Sequence, residues 1–118
     1  MRFISAKAHT VIGLIVGIIL LLAPYLFGFD GNQTATSLTT SIGVFIILSE
    51  LITTSRISPL KLIPMRVHLV IDYITGAFLA LSPWLFGFSD TVWLPHALVG
   101  ILTIGYALYT NPEDGAAR

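Results

Sequence analysis

The chain contains no cysteine, so disulfides, thiolate nucleophiles and thiolate-ligated metals are excluded whatever the compartment. Charge is almost as scarce. Six Lys and Arg balance six Asp and Glu among 118 residues, a charged fraction of 10%, which leaves no net charge to attract nucleic acid or an acidic partner. A nucleophile–base arrangement, a phosphate-binding glycine loop and a basic nucleic-acid patch are also missing, so the residues point to a non-enzymatic protein without a cofactor. What is present is apolar. Hydrophobic residues make up 55% of the chain and mean hydropathy is +0.89, against roughly 45–50% apolar residues in soluble domains.

Four apolar stretches occupy residues 8–29, 34–54, 67–88 and 91–109, each near the roughly 20 residues that cross a bilayer as a helix. Arg2 and Lys7 before the first give it the look of a signal peptide, but the run is long for that role and no small-x-small cleavage site follows. An internal repeat decides the matter. Displacing the sequence by 59 residues aligns 9–29 with 68–88, and 12 of the 21 positions are identical. The shared set runs from His9/His68 through Gly17/Gly76 and Pro24/Pro83 to Phe29/Phe88, a density of matches that marks duplication.

Each copy then passes through a short polar turn, Asp30-Gly31-Asn32-Gln33 or Ser89-Asp90, and re-enters the apolar phase, so each copy is a helical hairpin. Two spans per copy make the copies point the same way, with a pseudo-twofold axis along the membrane normal. The expected fold is therefore all-α: four transmembrane helices as two tandem, parallel-oriented helical hairpin repeats in a single membrane domain, 1–118. Repeat 1 covers about 9–54, a linker 55–66, repeat 2 about 67–110 and a solvated tail 111–118. Pro59 and Pro64 interrupt helix in the linker.

Arg2, Lys7, Arg56, Lys61, Arg66 and Arg118 all fall on one side of this topology, and Asp30 and Asp90 mark the other. The positive-inside rule makes the basic side, with both termini, cytoplasmic.

The segment Ser82-Pro83-Trp84-Leu85-Phe86-Gly87-Phe88, echoed as Ala23-Pro24-Tyr25-Leu26-Phe27-Gly28-Phe29, resembles the signature of the SPW-repeat family of small bacterial membrane proteins. The first copy departs from it at Ala23 and Tyr25. The resemblance covers both hairpins and implies a duplicated two-helix unit of the bacterial inner membrane; it supplies no reaction. Physically, Pro24 and Pro83 lie toward the outer leaflet, where proline ends regular helix bonding and Gly28 and Gly87 permit the reversal. Tyr25 or Trp84 and the phenylalanines that follow, Phe27, Phe29, Phe86 and Phe88, are expected in the outer aromatic belt. Gly13-x-x-x-Gly17 and Gly76-x-x-x-Ala80 offer close helix approach, either within the chain or between copies. The expected partners are lipid and a second copy or another membrane protein.

Ionisable groups in hydrocarbon cost about 2.5–3.5 kcal/mol at mid-helix and each needs a reason. His68 and Asp72 share a helix face continuing to Gly76, and His9 continues through Gly13 to Gly17 on the equivalent face of span one. Glu50 and Asp72 fall at similar depth, about 9 Å inside Arg56 and Arg66. The duplicate copy holds neither acid: Gly13 stands where Asp72 would be and Ala107 roughly where Glu50 would be. His9, Glu50, His68 and Asp72 thus form a candidate polar cluster. It suits helix locking by an Asp72–His68 pair or, as the alternative, proton or cation conduction. The ligand types also suit a divalent metal, but spacing spread over three helices is not diagnostic, and no metal is expected from it. Haem between His9 and His68 is disfavoured because both lie at helix ends. His96, after Pro95 at the outer start of span four, is expected to be a wet interfacial residue.

Overall fold

The computed structural model describes residues 1–113; the tail residues 114–118 lie outside the described part. Among the described residues four helices follow one another: α1 (Ala6–Leu26), α2 (Gln33–Ile52), α3 (Met65–Leu85) and α4 (Leu94–Leu108). Their ends fall within a few residues of the apolar stretches. α1, α2 and α3 are each long and apolar enough to cross a membrane, whereas α4 has 15 residues, or about 22 Å of helix.

Local chemistry sets the helix starts. Ser5 accepts the Ala8 N–H at 3.0 Å and Asn32 accepts the Ala35 N–H at 3.0 Å, each satisfying an orphan donor of the first turn. α3 follows Pro64, and α4 carries Pro95 in its first turn, where the missing N–H costs nothing.

The repeated Pro-x-Leu-Phe-Gly-Phe segment is a helix stop. After Pro24 the helix runs only to Leu26, Gly28 takes φ +71°, and the Phe29 N–H returns to the Pro24 carbonyl at 2.9 Å. The second copy is the same: Gly87 takes φ +74° and the Phe88 N–H reaches the Pro83 carbonyl at 2.8 Å. This six-residue closure around a left-handed glycine is a Schellman motif, with proline and phenylalanine at the two positions that make its apolar contact. One correction follows. Tyr25, Phe27, Trp84 and Phe86 lie on the outer surface of the bundle, but Phe29 and Phe88 are only 3% and 4% exposed. The stop motif turns them inward to pack with Ala23 and Ala35.

α1 packs chiefly on α2 and α3 on α4. Each hairpin closes on a glycine pair. A methyl on Gly43 would lie 2.8 Å from the Gly17 carbonyl oxygen, and one on Gly100 would lie 2.5 Å from the Gly76 carbonyl oxygen. Backbones this close admit only glycine. These small-residue faces are therefore used within the chain.

The repeats are laced together where the termini and linker meet. Ile4 bridges Thr110 and Ile63 bridges Thr53, both in parallel sense. The Asn111 N–H donates to the Ile4 carbonyl and the Thr54 N–H to the Ile63 carbonyl. Residues 4 and 63 are repeat-related, as are 53 and 110, so each hairpin's leading segment pairs with the other's trailing one. Arg2 likewise donates to the Thr110 carbonyl at 2.6 Å and Lys61 to the Ser55 carbonyl at 2.5 Å, placing cations on carbonyls just past α4 and α2. Arg66 pairs with Glu113 at the exposed surface.

Candidate functional site

Exchange between the repeats continues one helical turn deeper. The Thr53 hydroxyl donates to the Ser49 carbonyl at 2.5 Å, and the Thr110 hydroxyl to the Tyr106 carbonyl at 2.7 Å. Each hydroxyl has one proton and has spent it. The imidazole nitrogens that touch them, His68 Nδ1 on Thr53 at 2.7 Å and His9 Nδ1 on Thr110 at 2.8 Å, must therefore be the donors. Both Nε2 atoms are left facing the bundle axis, and both histidines reach across from their own repeat into the other.

On the axis they meet the two acids. His9 Nε2 lies 2.8 Å from Asp72 Oδ2 and 3.6 Å from Glu50 Oε2; His68 Nε2 lies 3.1 Å from Glu50 Oε2 and 3.2 Å from Asp72 Oδ1. The two rings stand edge to face with centroids 5.1 Å apart, and Tyr106 packs edge-on against His9. His9, Glu50 and His68 are fully buried and Asp72 nearly so. Three atoms in this group, His9 Nε2, Glu50 Oε1 and Asp72 Oδ2, make no aligned hydrogen bond. A porphyrin needs an open slot between its axial ligands, and these rings are already in contact.

Loss of repeat symmetry makes the site possible. A methyl group at Gly13 would fall on the carboxylate of Glu50, so the glycine at the Asp72-equivalent position is the space that Glu50 fills. In repeat 1 the first helix yields and the second supplies the acid; in repeat 2, α3 supplies Asp72 and the second helix carries Ala107. Two buried carboxylates side by side require compensating positive charge. Two imidazolium protons or one divalent cation give the same neutral sum.

The cluster is closed on both sides. Toward the termini, Ser55 hydrogen-bonds Thr10 at 2.9 Å and Ser58 at 2.7 Å, while Ser58 donates to the Glu50 carbonyl at 3.1 Å. In the other direction a tier of Leu20, Ile42, Ile46 and Leu79, with Val16, Leu38 and Val99 against it, fills the bundle. Leu20 and Leu79 come seven residues after Gly13 and Asp72, about 10 Å along the helices.

All four sequence-predicted polar residues therefore converge. His96 does not join them and is not wet. It is fully buried at the far end, its Nε2 3.2 Å from the Ala35 carbonyl oxygen, with its ring against Phe29 and Phe88. The inward phenylalanines cover its ring. Ser82, the signature serine, is buried and donates to the Leu79 carbonyl at 2.7 Å. Sequence reasoning missed Thr53, Thr110 and the Thr10–Ser55–Ser58 bridge. A signal for the first two existed: past the turns the repeat offset falls from 59 to 57, because the chain from Phe88 to Thr110 is two residues shorter than that from Phe29 to Thr53, and that offset aligns Thr53 with Thr110 and Gly43 with Gly100.

Residues 7–110 match the family model described as the SPW repeat domain. No curated protein and no solved structure matches the chain.

Proposed function

The chain belongs to the SPW repeat family, and from that premise we propose that it is a non-enzymatic, multi-pass protein of the bacterial inner membrane, of structural or accessory type, with both termini cytoplasmic. The observation that carries this reading is the sealed polar core. A conducting protein needs a wet route between its ionisable groups and both faces, whereas here an apolar tier lies across the bundle beyond the cluster. His9 and His68 lean on threonines of the opposite repeat and face Glu50 and Asp72 across the bundle, which is an arrangement for holding two hairpins in one register. Large apolar side chains on all four helices, among them Ile15, Phe45, Ile74 and Ile101, face outward. They present this rigid bundle to lipid and to a second copy or another membrane protein. The basic end, with Arg2, Arg56 and Lys61, matches cytoplasmic placement.

Proton and cation flux through the purified protein in liposomes tests the reading. No flux above empty vesicles is expected. Flux that an Asp72→Asn, Glu50→Gln double variant abolishes would overturn it in favour of conduction through the cluster. Because the chain has no cysteine, single cysteines at Arg56 and Gln33 in intact cells would report orientation, and only Gln33→Cys is expected to label from outside.

A further inference from the structure

We propose that His9, Glu50, His68 and Asp72 form a binding site for one divalent first-row transition-metal ion of the Zn2+ type. Four helix-borne residues each offer one ligand atom, and those atoms all lie within 4.8 Å of one another. Metal bonds of about 2.0–2.2 Å in a tetrahedral array place neighbouring ligand atoms about 3.3–3.6 Å apart. The nitrogen–oxygen separations of 2.8, 3.1, 3.2 and 3.6 Å, with Asp72 meeting His9 through Oδ2 and His68 through Oδ1, lie at or a few tenths of an ångström inside that spacing, so the ligand atoms need to part only slightly to take an ion.

Three independent features point the same way. His9 Nε2 and Asp72 Oδ2 are 2.8 Å apart and buried, yet they lack the alignment of a hydrogen bond, and Glu50 Oε1 has no hydrogen-bond partner either. Such atoms are placed side by side, as two ligands of one ion are, instead of end to end. With Nδ1–H donated to Thr53 and Thr110, Nε2 is the nitrogen that each imidazole turns to the carboxylates, and a metal ion there would take the place of the proton that His68 Nε2 shares with Glu50 Oε2 at 3.1 Å. Outer partners of this kind fix the tautomer of metal-binding histidines. Finally, one divalent ion neutralises two carboxylates that the bilayer would otherwise penalise.

The donor set selects the ion class. Two imidazoles with two carboxylates suit Zn2+, Co2+, Fe2+ or Mn2+; Ca2+ and Mg2+ prefer all-oxygen shells, and Cu(I) prefers sulfur. Four protein ligands without an open position describe a structural site, which would fasten the two repeats through α1, α2 and α3. The inference rests on the cluster geometry alone and does not require the absence of conduction.

The test uses the tag-free, full-length protein in mild detergent, stripped with chelator and reloaded with Zn2+ or Co2+ alone. One ion per chain is expected, with X-ray absorption showing two imidazoles in its shell. The third histidine, His96, lies at the far end against Phe29 and Phe88, so a two-imidazole shell identifies His9 and His68. Zn2+ at a hundredfold excess over Kd is expected to raise Tm by about 10 °C or more. Thr110→Val keeps every ligand and should weaken binding about 10–100-fold; Asp72→Asn should weaken it further at unchanged helicity. Substoichiometric binding by the wild type, a shell without two imidazoles, or undiminished affinity in folded Asp72→Asn protein would each overturn the proposal. If Asp72→Asn fails to fold, the wild-type shell and the Thr110→Val affinity decide it.

Discussion

Replacing Gly13 with alanine adds one methyl group at the point where Glu50 enters the cluster. The new Cβ and the Glu50 carboxylate cannot occupy the same space, and the carboxylate is hemmed in by His68 and His9. Overpacking of this kind costs about 1–3 kcal/mol. Displacing the carboxylate from His68 Nε2 adds the loss of a charge-assisted contact, about 1.5–3 kcal/mol, so a total of about 2.5–6 kcal/mol is expected. Gly105→Ala is the matched control. A methyl there meets nothing, and helix propensity should return up to about 1 kcal/mol. Thermal unfolding in mild detergent, followed by circular dichroism, reads both. A third variant closes the argument: Glu50→Asp shortens the side chain by one methylene, so in the Gly13→Ala background it should restore part of the loss, although it is harmful alone. That is a favourable coupling in a double-mutant cycle. If Gly13→Ala melts like Gly105→Ala, or if the two changes simply add, Gly13 is not the space that Glu50 occupies and the account of broken repeat symmetry fails.

Gly100→Ala should destabilise by about 1–3 kcal/mol, because its methyl would meet backbone atoms of Gly76 and Ala80 at 2.5 Å; unfolding in the same detergent checks it against the Gly105→Ala control. Thr53→Val and Thr110→Val each strand a buried imidazole N–H and should each cost about 1–3 kcal/mol. Their near-equality, measured by the same melts, is the mark of the exchange between repeats. Gly87→Ala forces a side chain into a left-handed conformation at φ +74° and should cost about 1–2 kcal/mol, whereas Ser89→Ala in the same turn should be close to neutral.

The helices and their order were legible because the bilayer imposes a length and duplication supplies a second reading of the same pattern. Identity between 9–29 and 68–88 fixes α1 and α3 as equivalent, and the polar turns place α2 and α4 beside them. The convergence of His9, Glu50, His68 and Asp72 was also within reach, since helix rise alone sets their depths. The directions of side chains near chain reversals were not legible. Phe27 and Phe29 are two residues apart on opposite sides of a left-handed glycine, and one faces outward while the other is buried. Neither helical periodicity nor an interfacial preference for aromatics describes that segment, because it is neither helix nor a free interface. The misplacement of His96 follows directly, as those inward rings are what cover it.

The second partners of the histidines were hidden for a different reason. One offset relates the first helices of the two repeats and another relates their second helices, so a single displacement of the sequence aligns His9 with His68 and leaves Thr53 and Thr110 out of register. Structure restores the correspondence through chain-distant contacts, His9 to Thr110 and His68 to Thr53. These carry a constraint no local pattern contains, namely that each imidazole leans on the other repeat. A duplicated hairpin needs some such device, because lipid offers no hydrophobic drive to keep one apolar hairpin against another. Perfect duplication would have supplied two histidines and two threonines but either no acid or an acid on every equivalent helix. With one acid per repeat, on non-equivalent helices, and with Gly13 leaving the space that Glu50 fills, two imidazoles and two carboxylates share one closed volume, a set that two imidazolium protons or one divalent ion would bring to zero net charge.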